Sequence, residues 1–462
     1  MTTTIAAISS GQMPAAIGVI RMSGSKSLEI IQTCLHHKKL SPRMMHSRKL
    51  YDAKDEILDE VLVCYFQAPH SFTGEDSVEI YAHGGMVNLS RILQELYRAG
   101  AQPAQPGEFS RRAFIHGKID LARAEAIMDV IHAQNEMQCR EAQRQLSGSV
   151  SQTVQDLRDF VMQILCAVEA TIDFSQEEDL APLPVKQLRE GTARVLDQIE
   201  RMKRASEQYR TSGYRTVLMG KPNAGKSSLF NRLLGHERAI VTDIAGTTTD
   251  TLESSVMIGR HLFELIDTAG IVDSQNPIER IGVDRARDQI KMADIVVMLI
   301  DGNNPDDCIL HELTQMLGEN LQRYLEENRL IVVHTKSDLS QRPVFPEALS
   351  AFLNAHQLTP IEVSVKSRDG LDRLENALIQ KADSFSAAFE NVTLMTSQRH
   401  IALLNAAAQS LERARQALDN GMPAEFIAAD LHDAAQSLDT ITGAYASEDI
   451  INEIFSHFCV GK

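Results

Sequence analysis

Residues 220–228 read GKPNAGKSS and fit the pattern GxxxxGK[ST], a spacing suited to holding phosphate groups. The stretch lies between a β-like run, TVLM, and a helix-compatible run, SSLFNRLLG, so its loop is expected to wrap backbone N–H groups around phosphates at a helix N-terminus. Asn223, Ala224, Gly225 and Ser228 belong to that phosphate-facing loop; Lys226 adds a cation for the β- and γ-phosphates and Ser227 a hydroxyl for Mg²⁺. Downstream, Asp267, Thr268, Ala269 and Gly270 follow the strand-like HLFELI. Asp267 is placed there to hold Mg²⁺ through water, and Gly270 to let the backbone reach the γ-phosphate. Between these motifs runs the polar loop Thr242, Asp243, Ile244, Ala245, Gly246, Thr247 and Thr248, with Thr248 the expected second Mg²⁺ ligand. Thr335, Lys336, Ser337 and Asp338 end the run LIVVH, and Asp338 can accept two hydrogen bonds from a guanine edge, a donor pair that adenine lacks. Ser364, Val365 and Lys366 form a second guanine-facing loop. Five elements in this order point to GTP rather than ATP.

The five elements resemble those of the translation-factor-related GTPases, with two departures. Thr335 stands where that group usually has Asn, keeping a hydroxyl and losing an amide; one neutral hydrogen bond contributes about 1 kcal/mol. Ile271 stands where Ras-like enzymes have a water-orienting Gln, and an alkyl chain cannot polarise water. Hydrolysis then needs another acid or amide, and extra positive charge near the β–γ bridge. Asn223 resembles the K⁺-coordinating asparagine of potassium-activated GTPases, with Thr242, Ile244 and Thr247 supplying further oxygens by that resemblance; the alternative is a loop-shaping asparagine. Glu279 is the candidate for orienting the water, against the alternative of an acid that simply favours a helix N-terminus two residues after Pro277.

The elements that must position these residues are legible in the periodicity. From 212 to 380, five β-like runs alternate with helix-compatible segments, which predicts a parallel sheet with helices on both faces. Residues 1–117 mix short strands and helices as an α+β domain. Apolar residues at spacings of three and four predict helices over 118–211 and again over 381–462. Neither helical half could bury its apolar face alone, so the α/β unit is expected to be inserted into one helical domain. The chain has 62 acidic and 46 basic residues, a net charge of −16 that argues against broad, non-specific nucleic-acid binding. The best local basic patch is 108–123, with four Lys/Arg against two acids. Six cysteines without a CxxC pair indicate neither a disulfide framework nor a zinc site, and most are expected to be small apolar residues in a reducing compartment. The first twenty residues do not read as a secretory signal, and no apolar run reaches membrane-spanning length, so a cytoplasmic protein without a membrane partner is expected.

AIGVIRMSG, FTGEDSVEIYAHGG, PGEFSRRAFIHGKIDLARAEA, GKPNAGKSS, GTTTD, DTAG, ERIG and FCVGK together resemble the MnmE (TrmE) family of tRNA uridine-modifying GTPases over nearly the whole chain. The resemblance implies an N-terminal domain that dimerises and binds a folate, and a split helical domain holding the G domain. It implies a partner of the MnmG (GidA) type carrying FAD, in a heterotetramer or larger complex. It also implies tRNA as substrate at its wobble uridine, and 5-formyl- or 5,10-methylene-tetrahydrofolate as carbon donor. By the same resemblance Glu279 orients the attacking water, and Arg21, Glu79, Lys118 and Lys462 contact the folate. Cys459 then lies near that folate as a functional thiol needed for tRNA modification; a prenylated tail is disfavoured by Gly461 and Lys462. Two segments depart from the family: GTTTD has Thr249 where GTTRD has Arg, and ISSGQMPAAIG lacks the PPGRGG seen in many members. The competing expectation is a ribosome-assembly GTPase acting as an RNA-binding switch.

Overall fold

The structure is a computed structural model that describes residues 3–11, 14–133, 135–173, 185–208, 213–221, 223–235, 253–267, 293–301, 310–311, 314, 317–318, 320–339, 345–387 and 392–462. The chain divides into two compact units. One comprises Met1–His132, Glu141–Lys203 and Met395–Lys462, and the other Ala133–Arg140 and Arg204–Leu394. Among the described residues no helix is long and apolar enough to cross a membrane.

The first unit begins with strands β1 (Ile5–Ile8) and β2 (Ile17–Ser23), helix α1 (Ser27–Cys34), strands β3 (Met45–Tyr51), β4 (Ile57–Phe66) and β5 (Ser77–His83), helix α2 (Met86–Arg98) and the two-residue β6 (Gln102–Pro103). The sheet order is β3-β4-β5-β2-β1-β6. Side chains alternate across each strand. Ile20, Met22, Val61, Val63, Val78 and Ile80 face inward and pack with Leu89, Ile92 and Leu96 of α2. The other face carries a row set by register: Met45 opposite Cys64, Cys64 opposite Glu79, Glu79 opposite Arg21 and Arg21 opposite Ala7.

Helices α3 (Glu108–Ile115), α4 (Leu121–His132), α5 (Glu136–Leu146), α6 (Ser149–Asp173) and α7 (Val185–Gln208) follow. The first residues of α5 and the last of α7 belong to the second unit. Val150, Val154, Leu157, Val161, Leu165 and Val168, spaced at three and four along α6, are buried, which is why this stretch is one long amphipathic helix.

The second unit contains β7 (Tyr214–Met219), α8 (Lys226–Leu234), β8 (Glu253–Ile258), β9 (His261–Asp267), β10 (Ile295–Asp301), α9 (Asn320–Glu326), β11 (Leu330–Thr335), α10 (Glu347–Ala355), β12 (Ile361–Val363) and α11 (Leu371–Ala387). Its sheet runs β12-β11-β10-β7-β9-β8. Neighbours from β12 to β9 pair in parallel, while β8 pairs antiparallel with β9. The five strands read from the sequence thus pair in parallel as expected, and β8, which is not among them, adds an antiparallel edge because only Gly259 and Arg260 separate it from β9, a link short enough for a hairpin. The run IVVMLI in β10 is apolar throughout because both its faces are covered: Ile295, Val297 and Leu299 pack on one side, Val296, Met298 and Ile300 on the other. Met137, distant in sequence, packs against the first of these cores, and Ala205 packs with Leu394. The compact unit therefore extends beyond 212–380.

The chain returns to the first unit with α12 (Gln398–Asp419), α13 (Ala424–Thr442) and α14 (Glu448–Ser456). Leu404, Leu411, Leu431, Leu438 and Ile441 are buried there, and α13 packs against both α12 and α6. Arg158 of α6 pairs with Asp439 of α13 at 3.2 Å, joining segments 281 residues apart. Neither helical stretch completes its own core, which is the physical ground for one domain assembled from two stretches.

Candidate functional site

In the second unit, β7 feeds the glycine-rich loop. Gly220 has φ +154°, and a Cβ there would stand 2.6 Å from the Leu299 carbonyl oxygen, so only glycine fits. Asn223 and Gly225 also have positive φ, +68° and +92°, which turns the loop onto the N-terminus of α8. Ala224 is buried at this turn. Lys226 arches back so that Nζ donates to the carbonyls of Gly220 at 2.7 Å and Lys221 at 2.9 Å. Ser227 Oγ donates to Asp267 Oδ2 at 2.8 Å, so the structure joins the two expected Mg²⁺ groups from α8 and the end of β9. Asp267 is buried and its Oδ1 has no hydrogen-bond partner among the described residues. A buried carboxylate oxygen left over beside a hydroxyl fits a hydrated Mg²⁺, a hard cation that takes oxygen ligands and keeps several waters.

At the base-recognition end, Thr335 is buried, with its hydroxyl 2.8 Å from the Ala224 carbonyl and 3.1 Å from that of Ile300. The hydroxyl that replaces the usual amide thus ties β11 to the phosphate loop. Lys336, at φ +58°, pairs with Asp301 at 2.6 Å. Ser364 donates to Asp338 Oδ1 at 2.8 Å, and Ser367 N donates back to the Ser364 hydroxyl at 3.1 Å. The bond orients the exposed Asp338 carboxylate, while Ser337, Val365 and Lys366 stand in the adjoining turns. Thr242, Asp243, Ile244, Ala245, Gly246, Thr247, Thr248, Thr249, Thr268, Ala269, Gly270, Ile271 and Glu279 lie outside the described residues.

In the first unit, the outer row of the β-sheet supplies a second site. Arg21 Nε and Nη2 donate to Glu79 Oε1 at 3.1 and 2.9 Å, and Tyr81 OH donates to Oε2 at 2.7 Å. That bond, with burial, pushes the Tyr81 hydroxyl up to about 12. The Arg21 guanidinium stacks over Phe72 at 5.2 Å and Phe109 at 5.9 Å from the ring centroids. Glu79 Oε2 keeps unused acceptor capacity beside these flat groups, a fit for a planar heterocycle bearing N–H donors such as a pterin. Lys118 Nζ donates to the Pro69 carbonyl at 3.1 Å and is otherwise exposed, near the ring of Phe72.

The final residues reach the same face. After α14, Phe455 and Phe458 pack with Leu121 and Ala124, and the chain turns so that Gly461 lies against Ile8. Ser9 Oγ donates to the Gly461 carbonyl at 2.9 Å, and Phe109 N donates to the Lys462 carbonyl at 3.2 Å. Lys462 is thereby held at Phe109, the ring beneath Arg21, with Cys459 exposed three residues earlier. Cys166 is exposed as well and Cys139 half-buried, so among the five described cysteines only Cys34 and Cys64 are the buried apolar residues expected of most.

Sequence reading misplaced the basic stretch 108–123. Of its four Lys/Arg only Lys118 is exposed. Arg112 is buried and bridges Glu75 at 2.9 Å, Glu108 at 2.8 Å and the Thr3 carbonyl at 2.8 Å. Glu75 also accepts from Ser23 Oγ at 2.8 Å, so this network binds the FTGED loop to β2 and α3. The four-residue spacing of Glu108 and Arg112 was a usable local signal; Glu75 had none. A second unforeseen cluster joins Glu125 of α4 to Arg399 at 2.9 Å and to the buried His400 at 2.6 Å, both in α12. Burial raises the Glu125 carboxyl, but the bonds from His400 and Arg399 outweigh it and hold the group at about 2.

A phosphate loop, a Ser–Asp pair for Mg²⁺ and an oriented Asp338 on a doubly covered, largely parallel sheet define a P-loop GTPase carrying an additional α+β and helical unit. Two family models match it: the GTP-binding protein TrmE N-terminus over residues 4–118, and the MnmE helical domain over residues 121–459. The tRNA modification GTPase MnmE of Ligilactobacillus salivarius is 37% identical, over 99% of this chain and 98% of that one. Those of Lachnoclostridium phytofermentans and Aquifex aeolicus are each 36% identical over 100% of both chains. The chain belongs to the MnmE (TrmE) family of tRNA modification GTPases.

Proposed function

We propose that this chain is a potassium-activated GTPase which, as a homodimer and with an MnmG (GidA)-type flavoprotein, installs an aminomethyl or carboxymethylaminomethyl group at C5 of the tRNA wobble uridine in the cytoplasm. When bound, tetrahydrofolate supplies the one-carbon unit. The observation that carries this reading is the seating of the Cys459–Lys462 tail on the face that bears Arg21 and Glu79. This supports the reading because the tail and the Arg21–Glu79 face, which the family resemblance names for folate, come from distant parts of the chain. Glu79, held by Arg21, is the acceptor for ring N–H groups, and Lys118 and Lys462 are the cations for glutamate carboxylates. Cys459 is then a functional thiol at the same face.

In the G domain, Ser227 and Thr248 ligate Mg²⁺, with Asp267 behind its water shell. Asn223, Thr242, Ile244 and Thr247 would hold K⁺, a cation that would offset the charge that develops on hydrolysis. Glu279 orients the water in place of the amide that Ile271 cannot supply. Nucleoside mass analysis of tRNA from cells lacking the protein tests the reading. Loss of the modified wobble uridine, restored by the wild-type chain but not by Cys459→Ser, is expected; an unaltered nucleoside profile would overturn it.

A further inference from the structure

Beyond the Arg21–Glu79 pair, the outer face of the sheet continues into a recess of about 480 Å³ floored by Cys64, Phe66 and Phe72 and rimmed by Arg43, His70 and Lys118. The recess opens directly from the proposed folate site, because Cys64 stands opposite Glu79 and Phe72 lies under Arg21. Among the described residues neither Arg43 nor Lys118 on its rim has an ion-pair partner. Arg43 Nη2 donates only to the His70 carbonyl, at 3.4 Å, and Lys118 Nζ to that of Pro69, at 3.1 Å. Of the nearby acids, Glu75 is neutralised by Arg112, and Asp76 is turned to the Tyr65 hydroxyl and Ala68 N rather than to Arg43 or Lys118. The Arg43 backbone is held at the rim, at φ +59° with its N–H on the Tyr65 carbonyl at 2.7 Å, while its side chain is exposed. In a chain of net charge −16, two cations and an imidazole beside aromatic rings, with no carboxylate partner among the described residues, make a local anion site.

We propose that this recess is a subsite for the additional carboxylates of a poly-γ-glutamyl tetrahydrofolate, with Arg43 and His70 the residues that select the longer tail. The inference rests on the folate reading above and adds a preference among folates. A tail leaving the Arg21–Glu79 site would pass Lys118 and place its next carboxylates between Arg43 and His70. Charge-assisted bonds to the Arg43 guanidinium would favour them over solvent.

Isothermal titration of the full-length protein with mono- and triglutamyl 5-formyltetrahydrofolate tests this. The triglutamate should bind about tenfold tighter or better, a gap that narrows as salt rises. Arg43→Gln should reduce the gap to about twofold while leaving monoglutamate affinity and GTP hydrolysis unchanged, which also reports that the variant folds. Equal affinity of the wild type for both ligands, or an undiminished gap in Arg43→Gln, would overturn the subsite and leave the folate reading standing. Weaker tRNA binding by Arg43→Gln with no change in folate preference would assign the recess to phosphates instead, and overturn it too. Failure of either folate to bind would overturn the folate reading and the subsite with it.

Discussion

Replacing Gly461 by alanine should release the tail from the folate-binding face. The residue sits at φ +96°, where an L side chain costs about 1–2 kcal/mol. An added Cβ would lie 2.3 Å from the Ile8 carbonyl oxygen. That neighbour is backbone at the end of β1, so no side-chain rotation relieves the overlap and the tail must move. Movement would break the bonds from Ser9 Oγ to Gly461 and from Phe109 N to Lys462, worth about 1 kcal/mol each. The two costs are alternatives, because a tail that moves escapes the strain, so docking weakens by roughly 2 kcal/mol, between one and two decades in the equilibrium. If only the docked form binds folate well, affinity falls by up to that factor. Titration with 5-formyltetrahydrofolate, alongside hydrogen exchange at the Phe109 amide, reads the effect. Val460→Ala, at an exposed neighbour, should change neither quantity. Wild-type folate affinity and wild-type Phe109 protection in Gly461→Ala would refute the reasoning.

Arg112→Met should lower the stability of the first unit by about 3–5 kcal/mol, because it leaves Glu75 and Glu108 without their buried counter-charge; a urea midpoint within error of wild type would contradict this. Glu125 is held below its ordinary range, so its contribution to stability is present above about pH 4.5 and is lost as pH falls toward about 2. Urea midpoints of Glu125→Gln should therefore vary less with pH across that window than those of wild type, and equal slopes would contradict the account. GTP turnover should be faster in K⁺ than in equimolar Na⁺, with equal rates ruling out the potassium assignment. Glu279→Ala should lose turnover while retaining GTP binding, measured by single-turnover hydrolysis and nucleotide titration; unchanged turnover would remove Glu279 from catalysis.

The nucleotide site was legible because its parts are local. A strand, a turn needing glycine and a helix N-terminus are consecutive in 214–234, and the periods of the flanking residues announce the strand and the helix. Thr335 could be recognised as a departure from the guanine motif, yet its bond to the Ala224 carbonyl crosses 111 residues and has no trace in local pattern. The stretch 108–123 shows the opposite failure. Charge counting made it a basic surface, but an arginine in the chain does not announce whether it will meet water or two carboxylates, and Arg112 meets Glu75 and Glu108.

By itself, then, the sequence determined the order of domains, the phosphate loop and the face that each helix buries, since all of these follow from periods of two and 3.6 residues and from short motifs. Tertiary structure alone decided which charges are neutralised and which stay available. It paired Arg112 with Glu75 and Arg399 with Glu125, left Arg43 and Lys118 without an acid among the described residues, and set Gly461 against β1. The reason is physical: an ion pair or a docked tail depends on which distant backbones come within about 3 Å, and only packing of the whole sheet and helical core fixes that distance.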